Sequence, residues 1–321
     1  MTETNNDGAT IPLDADAQAF ADQFAQILPH GFAGLGVEGA RQFTEQASAQ
    51  TPPAASVHTV SEHQAPGPHG DVRVRLYRPE SEAPLPVLMY FHGGGWTTGS
   101  IDGGVDYLVR DIVNATGIAV VSVDYRLAPE HKFPIPVEDC HAALAWMQNM
   151  AGSLGLDSSR IAIGGDSAGA NFSAAITHLE RDSAAAPLAG QLLLFPATEY
   201  AVERPSWIDN AQAPLLTTND TLWCWDQYLR TEADRKDPRA TPANANSFAE
   251  LPPALVVVAG HDPLRDDGLN YARLLTEGGT RTEVVRFDGG FHDFVLFPTL
   301  DAYPQALASI TEFLKEAIAA N

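Results

Sequence analysis

Three residues whose chemistry fits together lie in one order along the 321-residue chain: Ser167, Asp262 and His292. A serine hydroxyl is a weak nucleophile until a base takes its proton, and the base in turn needs a carboxylate to orient it. Ser167 sits in Gly165-Asp166-Ser167-Ala168-Gly169. Before it, residues 160–164 form a β-branched run that reads as a buried strand; after it, small and apolar residues follow helical spacing over 168–180. A strand that reverses straight into a helix strains the residue at the turn, and it needs almost no side chain two positions before and after. Such a turn lifts the hydroxyl clear of the sheet, beside the positive end of the helix. The five-residue pattern arises by chance in roughly one sequence of this length in ten, so the flanking strand and helix carry the weight.

Of ten histidines, only His292 lies beyond Asp262. Asp262 follows a strand expected at 254–259, and His292 lies in a loop at 289–294 after a last strand expected at 282–287. One helix, at 265–277, separates them, so both loops should emerge at the sheet edge that carries Ser167. Asp266 and Asp288 compete for the orienting role; Asp262 is preferred because it comes first after its strand and Asp266 should already be helical. His261 is the nearest rival base, on the wrong side of its aspartate. Upstream, the continuously apolar run 86–91 leads into His92-Gly93-Gly94-Gly95-Trp96. Glycines without a Cβ let backbone N–H groups turn inward toward a developing oxyanion. His92 is expected to hold this loop by hydrogen bonds rather than to carry protons.

The remaining elements must position these loops. Residues 56–63 and 72–78 alternate apolar and polar and read as strands near a sheet edge, joined through a turn at 66–70. Further strands are expected at 117–123 and 190–196, and helices at 137–150 and 300–319. Helical intervals also occur at 15–28 and 41–50, broken by Pro29 and glycines 31, 34, 36 and 39 and joined onward through Pro52-Pro53. Between 198 and 247 no strand is expected; Trp207, Leu215, Leu216, Trp223, Trp225 and Tyr228 cluster there, too aromatic for a linker. The division that follows is a helical cap of residues 1–55 and 198–247 on a catalytic body of 56–197 and 248–321. A cap over the turn would supply the walls of an apolar pocket.

Acidic residues number 41 against 19 basic ones, a net charge of −22. This argues against nucleic acid and anionic membrane surfaces as partners. Cys140 and Cys224 lie far apart with no metal-ligand spacing, so two buried free thiols are expected, as in a reducing compartment. Residues 1–20 have no apolar core of a secretory signal, and no run approaches the ~18 apolar residues of a membrane span. The expected location is cytoplasmic, without stable membrane association.

Taken together, His92 to Trp96, Tyr125-Arg126-Leu127-Ala128-Pro129-Glu130, Gly165 to Gly169, Asp262-Pro263-Leu264-Arg265-Asp266 and the Gly290 to Phe294 segment resemble the bacterial hormone-sensitive-lipase-like esterases, a branch of the α/β-hydrolases. The resemblance covers most of the chain. It implies an α/β-hydrolase fold: an eight-stranded, mostly parallel sheet flanked by helices, with a helical cap. It also implies Ser167 as nucleophile, His292 as general base and acid, Asp262 as its orienting partner, and the N–H groups of Gly94, Gly95 and Ala168 as the oxyanion hole. The second motif is expected to buttress the fold.

The implied activity is hydrolysis of short- to medium-chain carboxylic esters, roughly two to eight carbons in the acyl group, with no metal or organic cofactor. Trp96, Leu215, Trp223 and Phe294 are the expected substrate-binding side chains, and the substrate is a small-molecule ester. Family members often pair as homodimers through the last strand and helix. An amidase, or a deacetylase of acylated small molecules, would use the same triad. The alternative from another class is a ligand receptor on this scaffold that has lost its catalytic histidine; here the histidine is present.

Overall fold

The computed structural model describes residues 11–49, 54–183 and 186–319. The acidic first ten residues and the Pro52-Pro53 joint lie outside the described residues. In chain order the elements are α1 (Ala15–Ile27), α2 (Gly31–Ala49), β1 (Thr59–Ala65), β2 (Val72–Arg78), β3 (Leu85–Phe91), α3 (Val105–Thr116) and β4 (Ala119–Asp124). They continue with α4 (Ile135–Leu154), β5 (Leu156–Asp166), α5 (Ala168–Asp182), β6 (Gly190–Leu194), α6 (Pro205–Asp209) and α7 (Thr218–Tyr228). The last are β7 (Ala254–His261), α8 (Arg265–Glu277), β8 (Thr282–Phe291) and α9 (Ala302–Ala319).

The strands form one eight-stranded sheet in the order β1-β2-β4-β3-β5-β6-β7-β8. β1 and β2 pair antiparallel, as do β2 and β4, and every later pairing is parallel. Parallel neighbours need crossover helices, which cover both faces and make the central strands apolar throughout. β3 shows this: all seven of its residues are buried. Its side chains alternate, with Val87, Met89 and Phe91 packing toward α4 and α5, and Leu88 and Tyr90 toward α3 and α9. β6 and β7 bury Leu193, Val256 and Val258 against α5 and α8. The body is therefore three layers, with α4, α5 and α8 on one face and α3 and α9 on the other.

Several elements differ from the sequence expectation, among them α3, β8 and α2; β5 also begins earlier, at Leu156. α3 went unread, although Val105, Leu108, Val109, Ile112 and Val113 form its buried stripe. Its first turn has no side-chain cap to announce it, and Gly117, expected to open a strand, closes the helix instead with φ 74°. β8 runs on to Phe291 through Gly289 and Gly290, so His292 follows the strand with no intervening loop. α2 begins at Gly31, ten residues earlier than expected, with a kink at Gly36, where φ is 67°.

The two regions without strands meet. The Ala33 N–H at the start of α2 donates to Asp220 Oδ1 on α7 at 2.8 Å. Farther along, Asn171 Nδ2 on α5 donates to the carbonyls of Ala197 and Ala240, both at 2.7 Å, which stitches the later part of 198–247 to the body.

Arg41 on α2 makes the other tie. Its Nε donates to Thr97 O at 2.9 Å, its Nη2 to Ala128 O at 2.9 Å, and the same guanidinium pairs with Glu130 at 2.7 Å. Glu130 is exposed and its ion pair adds little; the two carbonyl bonds are the ones that fix the helix to the loop after Trp96 and to the segment after β4. Arg41→Met keeps the apolar stem and removes both. The expected loss is about 1–2 kcal/mol, read as a fall of a few degrees in Tm, while Glu130→Gln changes Tm by less than half as much.

Candidate active site

β5 ends at Asp166 and α5 begins at Ala168, leaving Ser167 between them at φ 52°, ψ −114°. A positive φ is strained for a side chain bearing residue. The turn is held from outside: Ser167 N–H donates to Leu194 O at the end of β6 at 2.8 Å. Gly169 packs against the Phe91 and His92 carbonyls where β3 ends, and any Cβ there would collide with that backbone. The glycine of the motif is thus required by the close approach of α5 to β3.

β7 and β8 are parallel neighbours, so Asp262 and His292 emerge at the same edge as Ser167. His292 Nε2 lies 2.9 Å from Ser167 Oγ, and its Nδ1 lies 2.8 Å from Asp262 Oδ2. Asp262 Oδ1 accepts the Leu264 N–H at 2.8 Å, so one carboxylate oxygen fixes its own loop while the other faces the imidazole. All three side chains are buried. Burial favours a neutral His292, but the charges of Asp262 and Asp293 outweigh it and hold the imidazole well above its usual value.

The rival residues are engaged elsewhere. Asp266 accepts from Arg265 Nε and Ser206 N, each at 2.9 Å, and Asp288 from Arg286 Nη2 at 2.8 Å. His261 hydrogen-bonds the backbone at Ile11 and Pro12.

The loop after β3 wraps over the Ser167 turn with Gly94 at φ 112° and Gly95 at φ 57°. The N–H groups of Gly94, Gly95 and Ala168 donate to no acceptor among the described residues. The Gly93 N–H, by contrast, donates to Asp166 Oδ2 at 2.9 Å and ties the loop to the residue just before Ser167. His92 serves the loop: Nδ1 lies 2.7 Å from Gly93 O, the ring stacks on Tyr125 at 4.3 Å, and Tyr125 Oη donates to His92 O at 2.7 Å. Arg126, in the same motif as Tyr125, reaches the fully buried Asp139 on α4 at 2.5 Å, a buttressing contact away from the serine.

A cavity of about 480 Å³ opens over Ser167 and His292, within the range of small-ligand sites. Trp96, Leu215 and Trp223 line it. Trp96 is itself braced by Tyr228, stacked at 4.5 Å, and by Trp225 at 4.3 Å. Phe294, expected to bind substrate, does not line the cavity: it turns away into the core, 5.3 Å from Phe195 and 4.8 Å from Phe287. A short 3-10 turn at Phe294–Leu296 points it back under β8. The wall expected from the N-terminal segment comes from α1 and α2 through side chains that the sequence reading did not name, Phe24, Phe32 and Phe43, which pack edge to face or tilted at 5.8 to 6.2 Å. The helical interval of Phe20 and Phe24 marks this face in the sequence.

Cys140 and Cys224 are buried free thiols. Among the described residues no group of three or more His, Cys, Asp or Glu side chains is placed to hold a metal ion, and no helix is long and apolar enough to cross a membrane.

Residues 88–296 match the family model described as alpha/beta hydrolase fold. Carboxylesterase NlhH of Mycobacterium tuberculosis is 41% identical over 268 residues, 82% of this chain and 83% of the relative. An arylesterase of Saccharolobus solfataricus is 33% identical over 289 residues, 90% of this chain and 94% of the relative. Among solved structures, a hyperthermophilic esterase from the archaeon Pyrobaculum calidifontis superposes with a TM-score of 0.88 at 36% identity, covering 95% of this chain and 99% of that one. The strand order, the strained serine between β5 and α5, and these likenesses over most of the chain together establish that it belongs to the alpha/beta hydrolase fold family, in the hormone-sensitive-lipase-like branch.

Proposed function

We propose that the chain is a serine carboxylesterase that hydrolyses small carboxylic esters through an acyl-enzyme. One observation carries the reading: a single imidazole is hydrogen-bonded through Nε2 to Ser167 Oγ and through Nδ1 to Asp262, inside a buried corner that opens on an apolar cavity. In the resting tautomer Nδ1–H donates to Asp262, which leaves the Nε2 lone pair to accept the serine proton. As Ser167 Oγ attacks the ester carbonyl, the proton passes to Nε2 and negative charge gathers on the carbonyl oxygen. The unpaired N–H groups of Gly94, Gly95 and Ala168 supply donors for that oxygen, and one such donor contributes about 3–4 kcal/mol to the transition state. Collapse moves the proton from Nε2 to the leaving alkoxide; water then repeats the sequence on the acyl-serine.

The relatives named carboxylesterase and arylesterase support the substrate class. A cap contributed by α1, α2 and α7 covers the cavity, and with Trp96 it favours short acyl groups, roughly two to eight carbons. Pairing of two copies through β8 and α9, and residence in the cytoplasm, belong to the same proposal; the buried free thiols fit a reducing compartment.

Ser167→Ala is expected to abolish the burst of p-nitrophenol from an activated ester, and an undiminished burst refutes the nucleophile. Because His292 must be neutral to accept the proton and its pKa is raised, kcat/KM should fall as pH drops through a midpoint above about 6.5. A rate profile across p-nitrophenyl esters should peak at or below about eight acyl carbons. A rate still rising at longer chains contradicts the short pocket.

A further inference from the structure

Asp293 follows the histidine and has no place in the triad. Its backbone is left-handed, φ 53° and ψ 26°, a conformation that glycine adopts at no cost and that aspartate adopts more readily than most side chains. It is 6% exposed, with Oδ2 3.3 Å from His292 Nε2, the same nitrogen that faces Ser167 Oγ. Its Oδ1 has no hydrogen-bond partner, and His292 is its one ion-pair partner among the described residues. A buried carboxylate with one oxygen unpaired and the other against the reacting nitrogen is costly unless charge appears there.

Other groups face this corner. Asp166 at the end of β5 is fully enclosed, accepting from Tyr90 Oη on β3 at 2.7 Å and from Gly93 N at 2.9 Å. Tyr303 on α9 shares a buried cluster with Tyr90, and Asp262 faces the other imidazole nitrogen. Burial and the charge of Asp293 push the Asp166 carboxyl up to about 8, so near neutrality Asp166 keeps its proton.

We propose that Asp293 is a second positioning carboxylate for His292, one that engages only the proton His292 takes from Ser167. With the imidazole neutral, Nε2 presents a lone pair and Asp293 has nothing to accept. Once the Ser167 proton has moved to Nε2, the N–H lies between Ser167 Oγ and Asp293 Oδ2, and the carboxylate stabilises the imidazolium until the proton leaves for the alkoxide. Asp293 takes no proton in this scheme, and the proton count of the reaction is unchanged. An interaction made in the transition state and absent from the resting enzyme raises kcat rather than binding.

The inference rests on the esterase reading, and its test separates the two. kcat and KM for p-nitrophenyl butyrate are measured against pH in the wild type, Asp293→Asn and Asp293→Gly, with burst titration of active sites in each. Glycine fits the left-handed backbone, so that variant keeps the test open if asparagine disturbs folding. Both variants should move the acid midpoint of kcat/KM down by about one to three pH units and lower the plateau kcat with KM little changed. A midpoint that stays in place or moves up in both variants, with the wild-type burst intact, overturns the role of Asp293 alone. A wild type without a burst overturns the esterase reading and this inference with it.

Discussion

The backbone reversal at Ser167 is the constraint on which the site depends. Holding one residue at φ 52° costs on the order of 1–3 kcal/mol, and a flexible segment would relax. Here it cannot, because β5 is hydrogen-bonded to β3 on one side and β6 on the other, Ser167 N–H is taken by Leu194 O, and Gly169 leaves no gap against the end of β3. The reversal does two things at once. It exposes the hydroxyl above the sheet, and it leaves Ala168 as the first helical residue, whose N–H has no carbonyl one turn back to bind.

The second constraint is electrostatic. Asp166, Asp262 and Asp293 gather around the corner in which the His292 imidazole takes up a proton. Each acid meets burial differently. Asp262 divides its oxygens between Leu264 N–H and the imidazole, Asp166 is satisfied by Tyr90 and Gly93 and holds its proton, and Asp293 has the imidazole alone. Low polarity around the site makes each of these interactions stronger than it would be in water. The base and its surroundings are therefore set by how strands end, since all three acids stand at or just past the ends of β5, β7 and β8.

Legibility in the sequence followed the strength of local signals. β2 and α8 coincide with the expected ranges at both ends, because strict alternation marks the one and the Asp266 and Asp267 first turn marks the other. β8 was read four residues short since Gly289 and Gly290 signal a loop, yet β7 beside them keeps the backbone extended as far as the His261 and Phe291 pairing. α3 lacked a capping residue and sits behind a glycine-rich stretch, so its apolar stripe went unnoticed. Phe294, expected among the substrate-binding side chains, is carried by a single turn of backbone into the core instead.

The order Ser167, Asp262, His292, the glycine loop and the alternation of apolar runs with helical stretches were enough to determine the fold class and to name the residues that meet, because strand ends and tight turns write short-range chemical rules into the chain. What the chain could not encode locally is which side chains face the cavity, that Arg41 clamps α2 to the Trp96 loop, and that Asp293 leans on the working nitrogen of His292. Those are distances between segments far apart in sequence, or rotations about a single backbone bond, and both are decided by packing rather than by composition or spacing.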